Sequence, residues 1–247
     1  MISGSVIVGL IDNGEWSACF GLSYRDLMLY DLGSNQRFYK AGAGEMRKVT
    51  GTMGVASARN QIAADFLDKT EGEWLFFIDT DMGFGPDTVD RLVASADAEN
   101  RPVVGGLCFA MRRTSAGDFY AERYGIQPTV YEYLEIEDEV GFRPILDYKR
   151  DEVIPVAGTG AACLLIHRSL LEKIRERFGD KWFEPITHPT GDKGKPRTFS
   201  EDLSFCVRCQ SIDIPVHVDT SVRTTHEKGA LYLDETTFDM QRYSTEA

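Results

Sequence analysis

The sequence lacks the features that mark a secreted or membrane-spanning protein. No apolar run approaches the ~20 residues that a bilayer-spanning helix needs, and no basic segment followed by an apolar block opens the chain. The 5 cysteines form an odd set at scattered positions, which does not suggest a disulfide framework. We therefore expect a soluble, cytoplasmic protein whose thiols are reduced.

Positive charge is also scarce. The chain carries 27 Lys and Arg against 39 Asp and Glu, a formal net charge of −12. This balance disfavours a protein that binds a nucleic-acid duplex, because such proteins need a basic surface. It does not disfavour a protein that binds one nucleotide, since local contacts and a metal ion can neutralise a diphosphate.

The chain has no Pro/Ser/Gly-rich linker, no long charged run and no internal repeat. Its 247 residues can bury one large α/β core, so we expect a single domain over residues 1–247. Cys206 and Cys209 have the spacing of a zinc-binding pair, but no second pair completes a four-ligand site. On a helix the two thiols share one face, which favours packing in the core.

Apolar strands alternate with amphipathic helices in the first half of the chain. Strands are predicted at residues 6–11, 74–78 and 103–107, and helices at about 17–32, at 56–67 and from about 86. Such alternation predicts an α/β fold of Rossmann-like type, with a mostly parallel central sheet and helices on both faces.

The second half of the chain is less regular. Residues 129–156 alternate loosely and predict a small antiparallel excursion, after which we expect a strand at 158–166 and helices at about 169–178 and 200–211. A last strand at 214–218 leads to His226. Residues 187–198 are polar and without periodicity, which predicts a mobile loop of the kind that forms lids.

The strand at residues 74–78 ends at two carboxylates, Asp79 and Asp81. Aspartates are common turn residues after strands, but two like charges so close resist ionising together. A hard divalent cation such as Mg²⁺ or Mn²⁺ removes that cost, because it prefers carboxylate oxygens. In open α/β sheets the ligand lies at the carboxyl ends of the strands, so this pair predicts a metal–diphosphate site.

Three further positions are candidates for chemistry. Glu201 and Asp202 follow Ser200 at a helix start, where acids either stabilise the helix dipole or act as a general base toward a hydroxyl. The neighbouring aromatic pair Trp182 and Phe183 favours the second role, because it offers a platform on which a ring can stack. His226 is a potential third metal ligand, and Arg59 a potential phosphate or base contact.

In order and spacing these segments resemble GT-A-fold glycosyltransferases, most closely the family-2-like group, over about residues 5–230. The resemblance is carried by the first strand, the segment Ala58-Arg59-Asn60, the segment Phe77-Ile78-Asp79-Thr80-Asp81, the glycine-rich stretch that begins at Gly158, the segment Ser200-Glu201-Asp202, and His226. Residues 112–156 follow no acceptor pattern of that group.

The resemblance implies an inverting, metal-dependent transfer of sugar from a nucleotide-sugar donor to a hydroxyl. The donor would be a UDP- or GDP-sugar most often, and the acceptor a protein, a glycan or a small molecule. Mn²⁺ or Mg²⁺ would be held by Asp79, Asp81 and His226, and Asp202 would be the base, with Glu201 orienting it or the acceptor. The nucleotide would contact Gly9, Ile11 and Asp12 in the loop after the first strand, together with Arg59, Asp79 and Thr80.

Other functions fit parts of the pattern. A haloacid-dehalogenase-like phosphatase also places Asp-x-Asp after an apolar strand, but its motif continues differently where this chain has Gly83. A sugar-nucleotide pyrophosphorylase needs a basic glycine-rich loop after the first strand, and residues 9–14 contain no Lys or Arg. A sugar-nucleotide-binding protein without turnover is the third alternative.

Overall fold

The structure of the protein is a computed structural model, which describes residues 1–41, 45–50, 53–114, 123–136 and 139–245. Its helices are α1 (Ala18–Gly33), α2 (Arg37–Lys40), α3 (Gly54–Lys69), α4 (Thr88–Ser95), α5 (Arg168–Phe178), α6 (Glu201–Gln210) and α7 (Glu235–Thr245). The predicted helices near 17–32, 56–67, 169–178 and 200–211 are therefore confirmed to within a few residues.

The strands divide into three sheets. The first half of the chain contributes β1 (Ile2–Asp12), β2 (Glu45–Val49), β3 (Gly72–Asp79), β4 (Met82–Phe84), β5 (Val103–Leu107), β6 (Phe109–Thr114) and β7 (Arg123–Pro128). The second half contributes β8 (Val130–Ile136), β9 (Glu139–Pro144), β10 (Val153–Val156), β11 (Gly158–Thr159), β12 (Cys163–His167), β13 (Thr187–Asp192), β14 (Lys195–Thr198), β15 (Val216–Lys228) and β16 (Leu231–Leu233).

The central sheet has the order β10-β15-β5-β12-β3-β1-β2, with β4 and β16 paired to the far part of β15. Strands β2, β1, β3, β5 and β15 run in one direction, and β12 and β10 run against them. The fold is thus mixed α/β with a mostly parallel central sheet, compatible with a Rossmann-like arrangement.

Strand β12 departs from the expected parallel succession of strands, because it lies antiparallel between β3 and β5. A parallel strand is normally reached through a helical crossover. The chain instead reaches β12 from β6–β11, a stretch whose described residues contain strands and no helix. The antiparallel excursion predicted at residues 129–156 is confirmed by β8 and β9, which pair within a smaller sheet of order β11-β8-β9-β13-β14, whereas β10 joins the central sheet. A further antiparallel pair, β6-β7, precedes the predicted range.

The prediction of a mobile loop at residues 187–198 was wrong. This segment is the hairpin β13–β14, which also pairs with β9. Lys193 and Gly194 both have positive φ, 50° and 79°, the backbone that a two-residue hairpin turn requires. Most of its side chains are solvent-exposed, so the sequence shows no alternation of apolar and polar residues.

The core lies on both faces of the central sheet, as successive residues of β3 show. Trp74, Phe76 and Ile78 pack with α1, α2 and α4, whereas Leu75 and Phe77 pack with α3, α5, α6 and α7. Cys206 and Cys209 lie in the second of these clusters, which confirms core packing for that pair. No helix of the described ranges is long and apolar enough to cross a membrane.

The platform predicted at Trp182 and Phe183 was also wrong, because both side chains are fully buried. The indole Nε1 of Trp182 donates to the Leu171 carbonyl at 2.8 Å, and the Phe183 ring stacks on Phe205 at 4.7 Å between centroids. Two adjacent aromatic residues in a polar stretch carry no periodicity that tells core from surface.

Candidate functional site

The candidate site lies at the carboxyl edge of β1 and β3. Asp12 ends β1, and its neighbour Ile11 is in register with Asp79, which ends β3. Backbone contacts fix the turn that follows: the Asp79 N–H donates to the Ala162 carbonyl at 3.0 Å, and the Ser17 N–H donates to the Thr80 carbonyl at 3.0 Å. The two predicted carboxylates, Asp79 and Asp81, are therefore held on a rigid edge of the sheet.

Arg59 joins the two predicted motifs. Its guanidinium is 3% exposed and donates from Nη1 to Glu201 Oε1 at 2.8 Å and from Nη2 to Asp79 Oδ1 at 3.0 Å. The two carboxylates are 122 positions apart in the sequence, at the end of β3 and the first turn of α6. One buried cation thus fixes both elements in relation to each other.

The environment keeps Arg59 charged. Burial alone lowers the pKa of its guanidinium, but the carboxylates of Asp79, Glu201 and Asp202 outweigh that effect and raise the pKa above its ordinary value. The Phe183 ring lies 5.8 Å from the guanidinium carbon, so this aromatic residue supports Arg59 from the core. The predicted contact of Arg59 with a nucleotide is not tested by this geometry, which gives it two carboxylate partners.

Asp81 is bound by two residues at the end of β15. Its Oδ2 lies 3.1 Å from Nε2 of His226 and 2.6 Å from Nζ of Lys228. The carboxyl group is partly buried, which raises its pKa, but the hydrogen bonds from His226 and Lys228 prevail and lower the pKa of Asp81 to about 2. Asp81 is therefore a carboxylate at any physiological pH.

His226 is oriented by the backbone. Its Nδ1 lies 3.1 Å from the Phe109 carbonyl oxygen, so Nδ1 carries the proton and Nε2 faces Asp81. A backbone carbonyl on one ring nitrogen is the usual device that presents the other nitrogen as a ligand. Asp81 Oδ1 is buried and has no hydrogen-bond partner among the described residues. The unpartnered Oδ1 fits a divalent cation as it stands, and Nε2 fits one when it gives up its proton and its hydrogen bond to Asp81 Oδ2.

The three predicted metal ligands do not come together as a set. Asp81 and His226 are neighbours, whereas Asp79 is held by Arg59. Within the described ranges no group of three or more His, Cys, Asp or Glu side chains is arranged to hold a metal ion. A cation bound here would need its remaining ligands from substrate oxygens and water, as Mg²⁺ sites commonly do.

Asp202 is placed on the other side of Glu201. Its Oδ1 accepts hydrogen bonds from the Leu203 N–H at 2.8 Å and from the Ser200 hydroxyl. Its Oδ2 has no hydrogen-bond partner among the described residues and faces Gly160, where an added Cβ would come 3.7 Å from it. Asp202 thus has one oxygen anchored to the helix start, and a second one beside Gly160 that is not engaged in a hydrogen bond with a described residue.

The loop predicted at Gly9, Ile11 and Asp12 needs correction, whereas their contact with a nucleotide stays a prediction. Gly9 and Ile11 lie within β1 rather than in a loop, and both belong to the core. A Cβ on Gly9 would come 3.0 Å from Ile62 and 3.1 Å from Phe77, so the glycine permits close packing of α3 and β3. The strand continues to Asp12 because β2 pairs with its last five residues, a pairing that the sequence did not predict.

Asp12 and Thr80 lie at the edge itself. Asp12 is buried, accepts the Gly14 N–H at 2.8 Å and pairs with Arg47. The Arg47 guanidinium carbon lies 5.1 Å from the Trp16 ring centroid. Thr80 is also buried, and its hydroxyl donates to the Glu15 carbonyl at 3.3 Å, so it holds the Trp16 segment in place rather than presenting its side chain to solvent.

Sequence reasoning missed Lys228, Arg47 and Trp16. Lys228 had a usable signal, because residues two apart on a strand share a face and His226 had already been selected. Trp16 also had a usable signal, because it is an aromatic residue four positions after Asp12. In the structure it follows the turn after β1 and is partly exposed. Arg47 had no signal, since its contact with Asp12 depends on the unpredicted strand β2.

Comparisons with known proteins give a fold and no family. No protein-family model and no curated protein sequence matches the chain. The crystal structure of A197 from STIV is similar with a TM-score of 0.56 at 16% identity, covering 94% of this chain and 91% of that one. The inositol-1-phosphate CTP transferase from T. maritima aligns with a TM-score of 0.45 at 11% identity, covering 100% of this chain and 99% of that one. At such identities the first likeness shows a shared fold, and the chain is an α/β protein of that fold.

Proposed function

We propose that the protein is a metal-dependent glycosyltransferase that moves a sugar from a nucleoside-diphosphate sugar to an acceptor hydroxyl, with inversion. One observation carries the proposal: Arg59 joins Asp79 to Glu201, and so brings the Asp-x-Asp motif within one site with Asp202. Such a transfer needs the donor-binding carboxylates and the general base close together, and here they come from distant parts of the sequence.

The donor side is built from residues that suit a nucleoside diphosphate. Asp81 Oδ1 and His226 Nε2 would hold Mn²⁺ or Mg²⁺, and Lys228 adds a positive charge 2.6 Å from Asp81. Bound there, the cation would act as a Lewis acid that stabilises the negative charge on the departing diphosphate. The buried Asp12 lies at the adjacent strand end. The more exposed Trp16 and Arg47 beside it are suited to contact the nucleobase of the donor.

Asp79 and Glu201 have a positioning role in this proposal. Both are tied to a guanidinium that is buried in the core, so neither is free to take up a proton from an acceptor. Asp79 keeps about a third of its side chain exposed and is available to a ribose hydroxyl. Glu201 fixes the first turn of α6, and with it the position of Asp202.

Asp202 is the proposed general base. As an acceptor hydroxyl attacks the anomeric carbon, its proton passes to Asp202 Oδ2 and a new C–O bond forms. The bond from that carbon to the β-phosphate oxygen breaks, and its electron pair leaves with the diphosphate. A positioned carboxylate contributes about 10²–10⁴-fold to such a step. Attack opposite to the leaving diphosphate inverts the anomeric configuration.

The test is a thermal-shift screen of the full chain with UDP, GDP, CMP and TDP, each with and without Mn²⁺. At least one nucleotide is expected to raise Tm, and more with Mn²⁺ than without it, because binding to the folded state alone stabilises it. No shift with any nucleotide would contradict the proposal. A metal-dependent rise in Tm without release of nucleoside diphosphate from any nucleotide sugar would indicate a binding protein without turnover.

A further inference from the structure

A cavity of about 430 Å³ opens beside the start of α6. This volume is within the range of small-molecule sites, roughly 300–1,000 Å³. The cavity is adjacent to Asp202 because Ser200 and Leu203 belong to its wall and both donate hydrogen bonds to that carboxylate. Among the described residues, its lining consists of Arg112, Gln127, Tyr131, Phe142, Pro144, Arg197, Thr198, Phe199, Ser200 and Leu203.

The charge of this wall is opposite to that of the chain. The protein has 39 acidic residues against 27 basic ones, yet the lining residues that the structure describes include two arginines and no Asp or Glu. The other described lining residues are uncharged and include three aromatic rings and two aliphatic hydroxyls, and the rings of Phe142 and Phe199 are edge to face at 5.4 Å. Flat apolar walls with a few converging polar groups are typical of sites for small molecules.

The two arginines are held in place without being neutralised. The Arg197 guanidinium lies flat against Gly141, where a Cβ would come 3.0 Å from Cζ. Arg112 Nη2 lies 3.4 Å from the Tyr131 hydroxyl, a neutral partner. In the described part of the chain neither guanidinium has a carboxylate partner, and the nearby Glu139 pairs with Lys193 at 3.4 Å.

We propose that this cavity is the acceptor site and that the acceptor is a small hydroxylic molecule bearing a phosphate or carboxylate group, bound by Arg112 and Arg197. The acceptor role rests on the proposed transferase function. Guanidinium groups recognise both anions through paired N–H···O bonds. An anionic group held between the two arginines leaves the hydroxyl end of the molecule toward Asp202.

The test compares three sugars of nearly equal size with the full chain: glucose, glucose 6-phosphate and glucuronate, with inorganic phosphate as a fourth probe. Binding is measured by titration calorimetry. The two anionic sugars are expected to bind roughly tenfold more tightly than glucose, since a hydrogen-bonded charge contributes 1.5–3 kcal/mol and 1.4 kcal/mol is a factor of ten. Inorganic phosphate binding as tightly as glucose 6-phosphate would overturn the proposed small-molecule acceptor and leave only an anion site.

Variants locate the effect. Arg112→Gln and Arg197→Gln are each expected to reduce the preference for the anionic sugars, and the double variant to abolish it. Arg197→Lys keeps the charge but loses the paired geometry, so it should retain part of the preference. Arg143→Gln is the matched control, because Arg143 lies in the same small sheet, pairs with Glu132 at 2.6 Å and does not line the cavity.

Equal binding of all three sugars, binding of none, or an equal loss in Arg143→Gln would overturn the inference. The nucleotide screen on the same variants separates this result from the function itself. If nucleotides still stabilise the protein while the anionic preference is missing, the acceptor assignment fails and the donor site stands. If no nucleotide stabilises the wild type, the transferase function fails whatever the sugars do.

Discussion

The two regions on either side of Asp202, the proposed donor site and the proposed acceptor cavity, differ in how their charged side chains are paired. The donor side contains two groups of close ion pairs. Arg59 pairs with Asp79 and Glu201, and Lys228 pairs with Asp81. On the acceptor side, Arg112 and Arg197 have a tyrosine hydroxyl and a glycine backbone as neighbours. The charged groups on the donor side are paired with opposite charges of this chain, although Asp81 Oδ1 has no hydrogen-bond partner among the described residues. The cavity instead presents positive charge that has no carboxylate partner among the described residues.

The difference indicates two kinds of preparation for ligand binding. A paired cluster holds its groups rigidly, and a ligand or metal must displace an existing partner such as Lys228. A cluster of unpaired arginines can bind an anion without losing an existing partner, but its like charges repel one another while no anion is bound. Substitutions on the donor side should therefore cost folding stability, and substitutions in the cavity should cost binding alone.

Arg59→Ala should give the largest effect on stability. The substitution leaves Asp79 and Glu201 facing each other without their shared cation, and removing one partner of a buried pair costs about 3–5 kcal/mol. The free energy of unfolding is measured in urea. Arg143→Ala, which breaks an exposed pair, should cost less than about 1 kcal/mol. Equal losses in the two variants would remove the contrast between buried and exposed pairs.

Asp202→Asn should give the largest effect on transfer. The amide cannot accept the proton, but its Oδ1 can still accept the Leu203 N–H, so transfer should fall by about a hundredfold or more with nucleotide binding unchanged. Release of nucleoside diphosphate from a nucleotide sugar reports transfer. Asp213→Asn is the control, because Asp213 lies just beyond the other end of α6 with φ 59°, which asparagine tolerates. Parallel loss of nucleotide binding would remove Asp202 from the base role.

Lys228→Gln should sharpen the account of the metal site. The Lys228 ammonium occupies Asp81 Oδ2, so its removal should lower the Mn²⁺ concentration that half-saturates the nucleotide-bound protein. The change should be roughly twofold to fivefold, because an ion pair with an exposed lysine contributes about 1 kcal/mol or less. Thermal shift against Mn²⁺ concentration measures this. Lys193→Gln, on the exposed hairpin, should leave the value unchanged. A higher Mn²⁺ requirement would show that Lys228 assists the cation instead of competing with it.

Asp12→Asn should show the smallest effect, and one that depends on pH. Burial raises the pKa of Asp12, but the Gly14 N–H and Arg47 lower it below the ordinary 3.8. A lowered pKa means that the carboxylate stabilises the folded state above about pH 4, and that this stabilisation is lost as pH falls through the folded-state pKa. The wild type should exceed the variant in unfolding free energy at about pH 6 and lose that advantage progressively as the pH falls below 3.8. An advantage that persists at low pH would assign it to packing.

The sequence predicted the parts of the molecule that periodicity encodes. Strands β1, β3 and β5 and helices α1, α3, α5 and α6 follow from apolar spacing, and Asp79, Asp81 and His226 from their places at strand ends. The antiparallel course of β12 did not follow, because direction depends on which element precedes the strand. The hairpin β13–β14 was missed because its solvated faces lack alternation.

Pairing across the site was equally hidden. Arg59 was selected for a phosphate contact, yet its partners are carboxylates 20 and 142 positions away, which no local pattern specifies. Gly9 was assigned to a nucleotide-binding loop by the family resemblance, although the strand predicted at residues 6–11 already contained it. The sequence did not indicate that the residues around the acceptor cavity come together, since they belong to β6, β7, β8, β9, β14 and the start of α6.

The most direct test of the donor site is a titration of the selected nucleoside diphosphate into wild type and Asp81→Asn, with and without Mn²⁺. The account predicts that Mn²⁺ tightens binding to the wild type by roughly tenfold or more, about 1.4 kcal/mol, and has little effect on the variant. Equal affinities with and without Mn²⁺ in the wild type, or the same metal effect in Asp81→Asn, would contradict the claim that Asp81 holds the diphosphate through a cation.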